Sequence, residues 1–245
     1  MWSKSKIDRL GDQLRQKKFS PELLVSLDEY RASFQPAYEV VVSQLRGPLK
    51  YSVTGRPAKS TTALADKLER QHVRLSQVQD IAGCRVVVED IFLQDIALNA
   101  LVVFLDSPII YDRRAHSSHG YRAVHLVAEL DGRKVEVQLR TELQHLWAEI
   151  SEKIADTINP DIKYGIGNPE ALEFLKNLSI GVSRVEMEEA ARRDFMAQLQ
   201  RQGGVRSKRV KKDIRFLEKR FFARRAQLVQ LLRNVHDDFH GRAAA

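Results

Sequence analysis

The chain has 245 residues, 43% of them hydrophobic and 29% charged, which is enough to bury a core and excludes the disordered, collagenous and membrane-embedded classes. Its one cysteine, Cys84, excludes an internal disulfide and a cysteine-based zinc site, and reads as a small core residue. No apolar run approaches the roughly 18 residues that span a bilayer, and no apolar stretch follows Met1-Trp2-Ser3-Lys4, so a cytoplasmic protein with no membrane partner is expected.

In chain order, Ser20-Pro21-Glu22 opens a helix, with serine as N-cap and proline at the first helical position. Leu23, Leu24, Leu27, Tyr30 and Phe34 follow at helical spacing. Pro36 kinks or divides the helix, Tyr38, Val41 and Leu45 resume the stripe, and Gly47-Pro48 ends it. Tyr51–Thr54 reads as extended, Gly55-Arg56-Pro57 as a turn, and residues 60–74 as a helix carrying Leu64 and Leu68. The β-branched run Cys84–Val88 reads as a buried strand, residues 91–106 as a helix and Pro108–Tyr111 as another strand.

Two alternating runs, Tyr121–Leu130 and Arg133–Thr141, are separated only by Asp131-Gly132, the signature of a two-residue type I′ hairpin. That turn pairs Leu130 with Arg133, Val127 with Glu136, His125 with Gln138 and Ala123 with Arg140. One face then presents His125, Glu136, Gln138 and Arg140, with Tyr121 at its end, as a polar surface. The other face, with Val124, Leu126, Val135, Val137 and Leu139, is core. Thr141-Glu-Leu-Gln144 is a capping box for a helix with Leu143, Leu146, Trp147, Ile150 and Ile154 on one stripe. Asn168-Pro169-Glu170 starts a long helix to about residue 200, and Gly203-Gly204 breaks it. The last helix spaces Ile214, Leu217, Phe221, Leu228, Leu231 and Val235 almost as heptads, with Arg224 interrupting one slot.

Net charge is +8, yet residues 201–225 alone carry eleven Lys and Arg, Arg206 among them, against Asp213 and Glu218. The rest of the chain is close to neutral, so any polyanion argument belongs to this segment. The elements describe an α+β or α/β fold, a mixed sheet flanked by helices with a helical C-terminal extension.

Three constellations carry chemistry. Arg56, Lys59, Lys67 and Arg70 cluster around one helix start and suit a triphosphate, or else form a solvated basic face. The segment Gly55–Thr61 lacks the glycine and spacing of a P-loop. Asp80, before one strand, and Glu136, in the middle of another, suit Mg²⁺ or a general base; alternatively Glu136 pairs with Arg140 on a half-exposed sheet. Arg113-Arg114-Ala-His116-Ser-Ser-His119-Gly-Tyr121 offers phosphate contacts and a stacking ring, and its histidines with His125 raise the weaker reading of a zinc site.

Taken together, Gly55-Arg56…Lys59…Lys67…Arg70, Asp80-Ile-Ala-Gly-Cys-Arg85, His119-Gly-Tyr-Arg-Ala-Val-His125 and Glu136-Val-Gln-Leu-Arg-Thr141…His145-Leu-Trp147-Ala-Glu149 resemble the synthetase domain of RelA/SpoT-type alarmone synthetases, the small single-domain members above all. The resemblance covers residues 20–190 and implies a polymerase-β-like nucleotidyltransferase fold in residues 1–200; outside it, the charge of the basic helix in 201–245 suits nucleic-acid contact, oligomerisation or a solvated face equally. It implies a pyrophosphokinase of the stringent response that moves the β,γ-pyrophosphate of ATP to the ribose 3′-hydroxyl of GDP or GTP, releasing AMP and (p)ppGpp, with Mg²⁺ as cofactor. By the same resemblance Arg56 and Arg85 sandwich adenine, and Lys59, Lys67 and Arg70 hold the ATP phosphates. Asp80 ligates Mg²⁺, Glu136 helps hold it and activates the hydroxyl, Tyr121 stacks on the acceptor base, and His125 contacts acceptor phosphate. Arg113, Arg114, Gln138 and Arg140 complete the expected acceptor side, and a homo-oligomer is expected. The acceptor loop departs from the family's Pro-Lys-x-Asn-Gly-Tyr, with Ser117 at the lysine and His119 at the asparagine. That departure leaves open an adenine nucleotide or tRNA as acceptor, as in toxic branches of the family with an antitoxin partner; a non-catalytic nucleic-acid-binding protein is the remaining reading.

Overall fold

The computed structural model describes residues 2–204 and 207–243, with side chains to residue 239; Arg206 of the basic segment lies outside the described residues. Packing gathers the chain into two compact units, one of Met1–Val87, Ala97–Tyr111 and Val124–Leu139, the other of Val88–Ile96, Asp112–Ala123 and Arg140–Ala245.

The first unit opens with α1 (Lys4–Arg15), a helix not anticipated above. Ser3 caps it, and Ile7, Leu10, Gly11 and Leu14 form its buried stripe. α2 (Pro21–Ala32) and α3 (Gln35–Arg46) are the two halves of the helix that Pro36 divides, Ser20 capping the first and Gly47 ending the second. β1 (Val53–Arg56) extends further than expected: Gly55 and Arg56 pair with Cys84 and Gly83 instead of turning. A side chain at position 55 would come within 2.5 Å of the Gly83 carbonyl, so only glycine lets the strand continue there. α4 (Thr61–Gln71), capped by Ser60, returns to β2 (Ala82–Val88). β2 alternates, with Cys84 and Val86 buried and Arg85 half-buried.

α5 (Ile91–Phe104) and β3 (Ile109–Asp112) lead to the hairpin of β4 (Val124–Leu130) and β5 (Arg133–Thr141), completing one sheet in the order β1-β2-β5-β4-β3. The hairpin has the expected register, from Leu130↔Arg133 to Val124↔Leu139. Asp131 and Gly132 both have positive φ, +48° and +70°, as a type I′ turn requires. Two expectations change. The ladder begins at Val124, and the Ala123 carbonyl accepts from the Arg113 amide instead of pairing with Arg140. The polar face is also less open than expected: His125 is 8% exposed and Arg140 2%, while Glu136 and Gln138 are half-buried. Leu27, Leu45, Leu64, Leu68, Ile81, Leu101 and Leu126 are fully buried in this unit.

In the second unit α6 (Glu142–Thr157) starts from the expected Thr141 capping box. α7 (Pro169–Arg201) is capped by Asn168, and α8 (Lys208–Ala243) follows. Leu143, Trp147, Ile150, Ile154, Leu175, Val182 and Leu232 form its core, with Leu228, Val235 and Phe239 of α8 packed against it. The buried stripe of α8 therefore differs from the near-heptad one. Phe221 and Leu232 are buried, while Leu217 and Leu231 are 61% and 50% exposed. A helix at 3.6 residues per turn drifts off a seven-residue repeat, so the contacts follow its own pitch.

Candidate active site

The face of the sheet that carries the polar residues can be traced strand by strand. Thr54 opposes Arg85 and Arg56 opposes Gly83, so these four share a face. A side chain added to Gly83 would point at Glu136, 3.7 Å from its Cβ and 3.2 Å from its carbonyl oxygen, which puts Glu136 on that face. Opposed pairing then adds Val127, Gln138 and His125. Arg56, Arg85, Glu136, Gln138 and His125 thus project from one side of four strands, and Gly83, which has no side chain, lies between Arg56 and Glu136 across the sheet. The role of Gly83 was not anticipated, although a glycine inside a strand was the signal.

Glu136 is held at both oxygens. His125 Nδ1 donates to Oε1 at 2.9 Å and Gln138 Nε2 to Oε2 at 2.8 Å. Burial pushes its pKa up, but the His125 hydrogen bond and charge, with help from Gln138, bring it below the usual 4.5. The charge of Asp80 also acts on Glu136, in the upward direction, so the two carboxylates share one electrostatic environment.

Asp80 stands between two lysines. Lys59 Nζ donates to Oδ2 and Lys67 Nζ to Oδ1, each at 2.7 Å, with the lysines and the aspartate all about four-fifths buried. Burial raises the Asp80 pKa, and the two ammonium groups more than offset it, holding it below 3.8. α4 presents Lys67 about two turns past its Ser60 cap, and the Lys59 amide is tied to the Ile81 carbonyl at 2.7 Å, which fixes one lysine beside the strand that Asp80 precedes. Each ammonium keeps further donors after meeting Asp80.

The donor set fits Mg²⁺. Asp80 and Glu136 are ionised like charges within reach of each other's field, and each of their oxygens accepts one hydrogen bond where it can accept about two. Among the described residues no three His, Cys, Asp or Glu side chains gather around a common point. Mg²⁺ is usually bound through one or two carboxylates, its shell completed by substrate phosphates and water.

The loop before β4 belongs to the second unit. Tyr121 stands 6.5 Å from Trp147, ring to ring, and the Arg140 guanidinium lies 5.2 Å over the Tyr121 ring while donating to its hydroxyl at 3.1 Å. Ser179 Oγ donates to the Gly120 carbonyl at 2.7 Å. The His119 ring lies against Gly165, where a Cβ would come within 2.1 Å of Nδ1. Beneath the loop, a cavity of about 390 Å³ has Ser117, His119, Arg122 and Lys176 in its lining. Arg114 is engaged by Asp112 and, at 2.5 Å, by Asp95, while Arg113 is exposed. Arg114 therefore already has carboxylate partners. The anchors Trp147, Gly165 and Ser179 lie far along the chain from the loop and gave no local signal.

Residues 55–155 match the family described as the region found in RelA / SpoT proteins. An uncharacterised protein of Mycobacterium tuberculosis is 31% identical over 195 residues, covering 77% of this chain and 69% of that one. The GTP pyrophosphokinase YwaC of Bacillus subtilis is 28% identical over 123 residues, 42% of this chain and 58% of its own. Among solved structures, the small alarmone synthetase 1 from Bacillus subtilis superposes with a TM-score of 0.57 at 23% identity, over 71% of this chain and 98% of that one. Its complex with the product pppGpp gives 0.55 at 25% identity, over 70% and 98%. The fold is that of the small alarmone synthetases, and the chain belongs to the RelA/SpoT family.

Proposed function

We propose that this chain transfers the β,γ-pyrophosphate of ATP to the ribose 3′-hydroxyl of GDP or GTP, producing a guanosine alarmone and AMP. The observation that carries the reading is the Asp80–Lys59–Lys67 cluster sharing an electrostatic environment with a Glu136 whose two oxygens are both oriented. Family membership and the likeness to a synthetase seen with pppGpp support it.

Arg56 and Arg85, on one face of adjacent strands, suit the two sides of a purine ring, because diagonal cross-strand neighbours stand about 7–8 Å apart. Lys59 and Lys67, with Arg70 on the same helix, grip the triphosphate. Bound Mg²⁺, held by Asp80 and Glu136, would neutralise phosphate charge. Glu136 is ionised at neutral pH and takes the proton of the 3′-hydroxyl. The freed oxygen bonds to the β-phosphorus, the bond from that phosphorus to the α-phosphate oxygen breaks, and AMP leaves with the electron pair. His125 and Gln138 keep the Glu136 carboxylate aimed through the step. Tyr121, steadied by Arg140, offers its ring to the acceptor base.

With γ-labelled ATP, Mg²⁺ and GDP, GTP or deacylated tRNA as acceptor, the label is expected on GDP or GTP. Label on tRNA alone would redirect the reading to the acceptor permitted by the His119 loop, and no transfer would remove it. Glu136→Gln is expected to lower transfer by about 10²–10⁴-fold while ATP affinity holds. Near-wild-type turnover would take the proton-accepting role away from Glu136.

A further inference from the structure

The first three turns of α8 bury almost nothing. Between residues 207 and 220 only Ile214 and Glu218 are half-buried; every other position is exposed. The helix then buries Phe221 and meets the core of its unit through Leu228, Leu232 and Val235. At about 100° per residue these contacts point one way. Lys208, Lys212, Arg215 and Lys219, at i, i+4, i+7 and i+11, fall within about 60° of arc on the opposite side. They form a straight row of four cations roughly 17 Å long, with neighbours one helical turn apart. Lys211 flanks the row on one side, Arg209 and Arg220 on the other. Phe216 and Phe222, 60% and 52% exposed, stand one on each flank. The four cations of the row have no carboxylate partner among the described residues, whereas the inward-facing Arg225 is tied to Glu189 at 2.8 Å and Glu142 at 3.3 Å.

We infer that this ridge is a binding site for a single-stranded polynucleotide, the four cations meeting successive backbone phosphates and the two phenylalanines receiving unpaired bases. The spacing is that of a line of single negative charges, not of one compact anion. The exposed rings fit splayed bases, which a closed duplex does not offer. A lipid surface fits less well, because the two exposed rings lie on separate flanks of the charge row and apart from the exposed Val210 and Leu217 on the opposite side of the helix. The site is independent of the acceptor reading: the bound strand need not be a substrate, and the pyrophosphate assay above can fail or succeed without touching it.

The test is fluorescence anisotropy with a labelled 20-nucleotide single-stranded RNA and the full chain, at 50 and 200 mM salt. Four phosphate contacts predict a log–log salt slope of at least about −2.8, or about 50-fold weaker binding at the higher salt. The combined variant Lys208→Ala, Lys212→Ala, Arg215→Ala, Lys219→Ala should lose that slope and most of the affinity, with melting temperature and pyrophosphate transfer unchanged. Phe216→Ala with Phe222→Ala should weaken single-strand binding by 10-fold or more and leave duplex binding unaffected. Equal binding by wild type and the charge variant, no binding by either, or binding to phosphatidylserine vesicles in preference to RNA would each overturn the inference.

Discussion

Glu136 and Glu186 are both buried carboxylates, and their surroundings drive them in opposite directions. Glu136 gains an imidazole and an amide as donors and is held below its usual pKa. Glu186, 5% exposed in the second unit, is raised by burial, which outweighs what it gains as acceptor from Thr141 Oγ1 at 2.6 Å and Gln144 Nε2 at 2.9 Å. Asp80 and Glu136, both lowered, contribute stability above their unfolded values of 3.8 and 4.5 and lose it as pH falls through their folded ones. Glu186 contributes stability that is complete below 4.5 and is lost as pH rises through its folded value. Glu186→Gln keeps an oxygen for Thr141 and cannot ionise. Urea denaturation from pH 4.5 upward should therefore show less decline in the variant than in the wild type; an unchanged pH profile would mean that Glu186 does not titrate in that range. The carboxylate in mid-strand was visible in the sequence as a violation of strand propensity. Glu186 was not, because a glutamate in the helical run Glu186-Met-Glu-Glu189 looks like any solvated one until residues of α6 meet it.

At the scale of elements, the hairpin and the loop before it depend on two glycines for different reasons. Gly132 has φ +70° with nothing within 4 Å of where a Cβ would stand, so Gly132→Ala costs only backbone strain, about 1–2 kcal/mol. Gly120 has φ +90°, and a Cβ there would meet Trp147 at 2.7 Å and Ser179 at 3.2 Å. Gly120→Ala should therefore cost more stability than Gly132→Ala and raise the KM for the acceptor without raising that for ATP. Steady-state kinetics beside a thermal melt checks both; an unaltered acceptor KM would separate the loop from acceptor binding. The Asp-Gly hairpin was legible because turn type and register are local properties of two residues and an alternation. The extension of β1 through Arg56 was not. Gly55-Arg56-Pro57 has turn chemistry, and only close pairing with β2 holds it extended.

For the molecule as a whole, the informative element is α8. Its composition marks it as a basic extension, yet Leu232 is fully buried in the cluster built by α6 and α7, and Arg225 and Arg233 both pair with Glu142 of α6. Ending the chain at Gly203 should therefore uncover Trp147, Ile150, Leu175 and their neighbours. A lower melting temperature and increased binding of a hydrophobic dye are expected, and an unshifted melt would show that α8 only rests on the surface. Among the described residues no helix is long and apolar enough to cross a membrane. The caps at Ser20, Thr141 and Asn168, the Asp-Gly hairpin and its register, the spacing of Lys59, Lys67 and Asp80, and the family itself were all determined by the sequence alone, because each rests on residues close together in the chain or on a motif with fixed order. Which face of the sheet carries Glu136 with Arg56 and Arg85, that two lysines embrace Asp80, and that one half of α8 is core while the other stands in solvent were decided by tertiary packing. Those facts depend on contacts between segments far apart in the chain, and burial, charge and hydrogen bonding acquire their direction only when such segments meet.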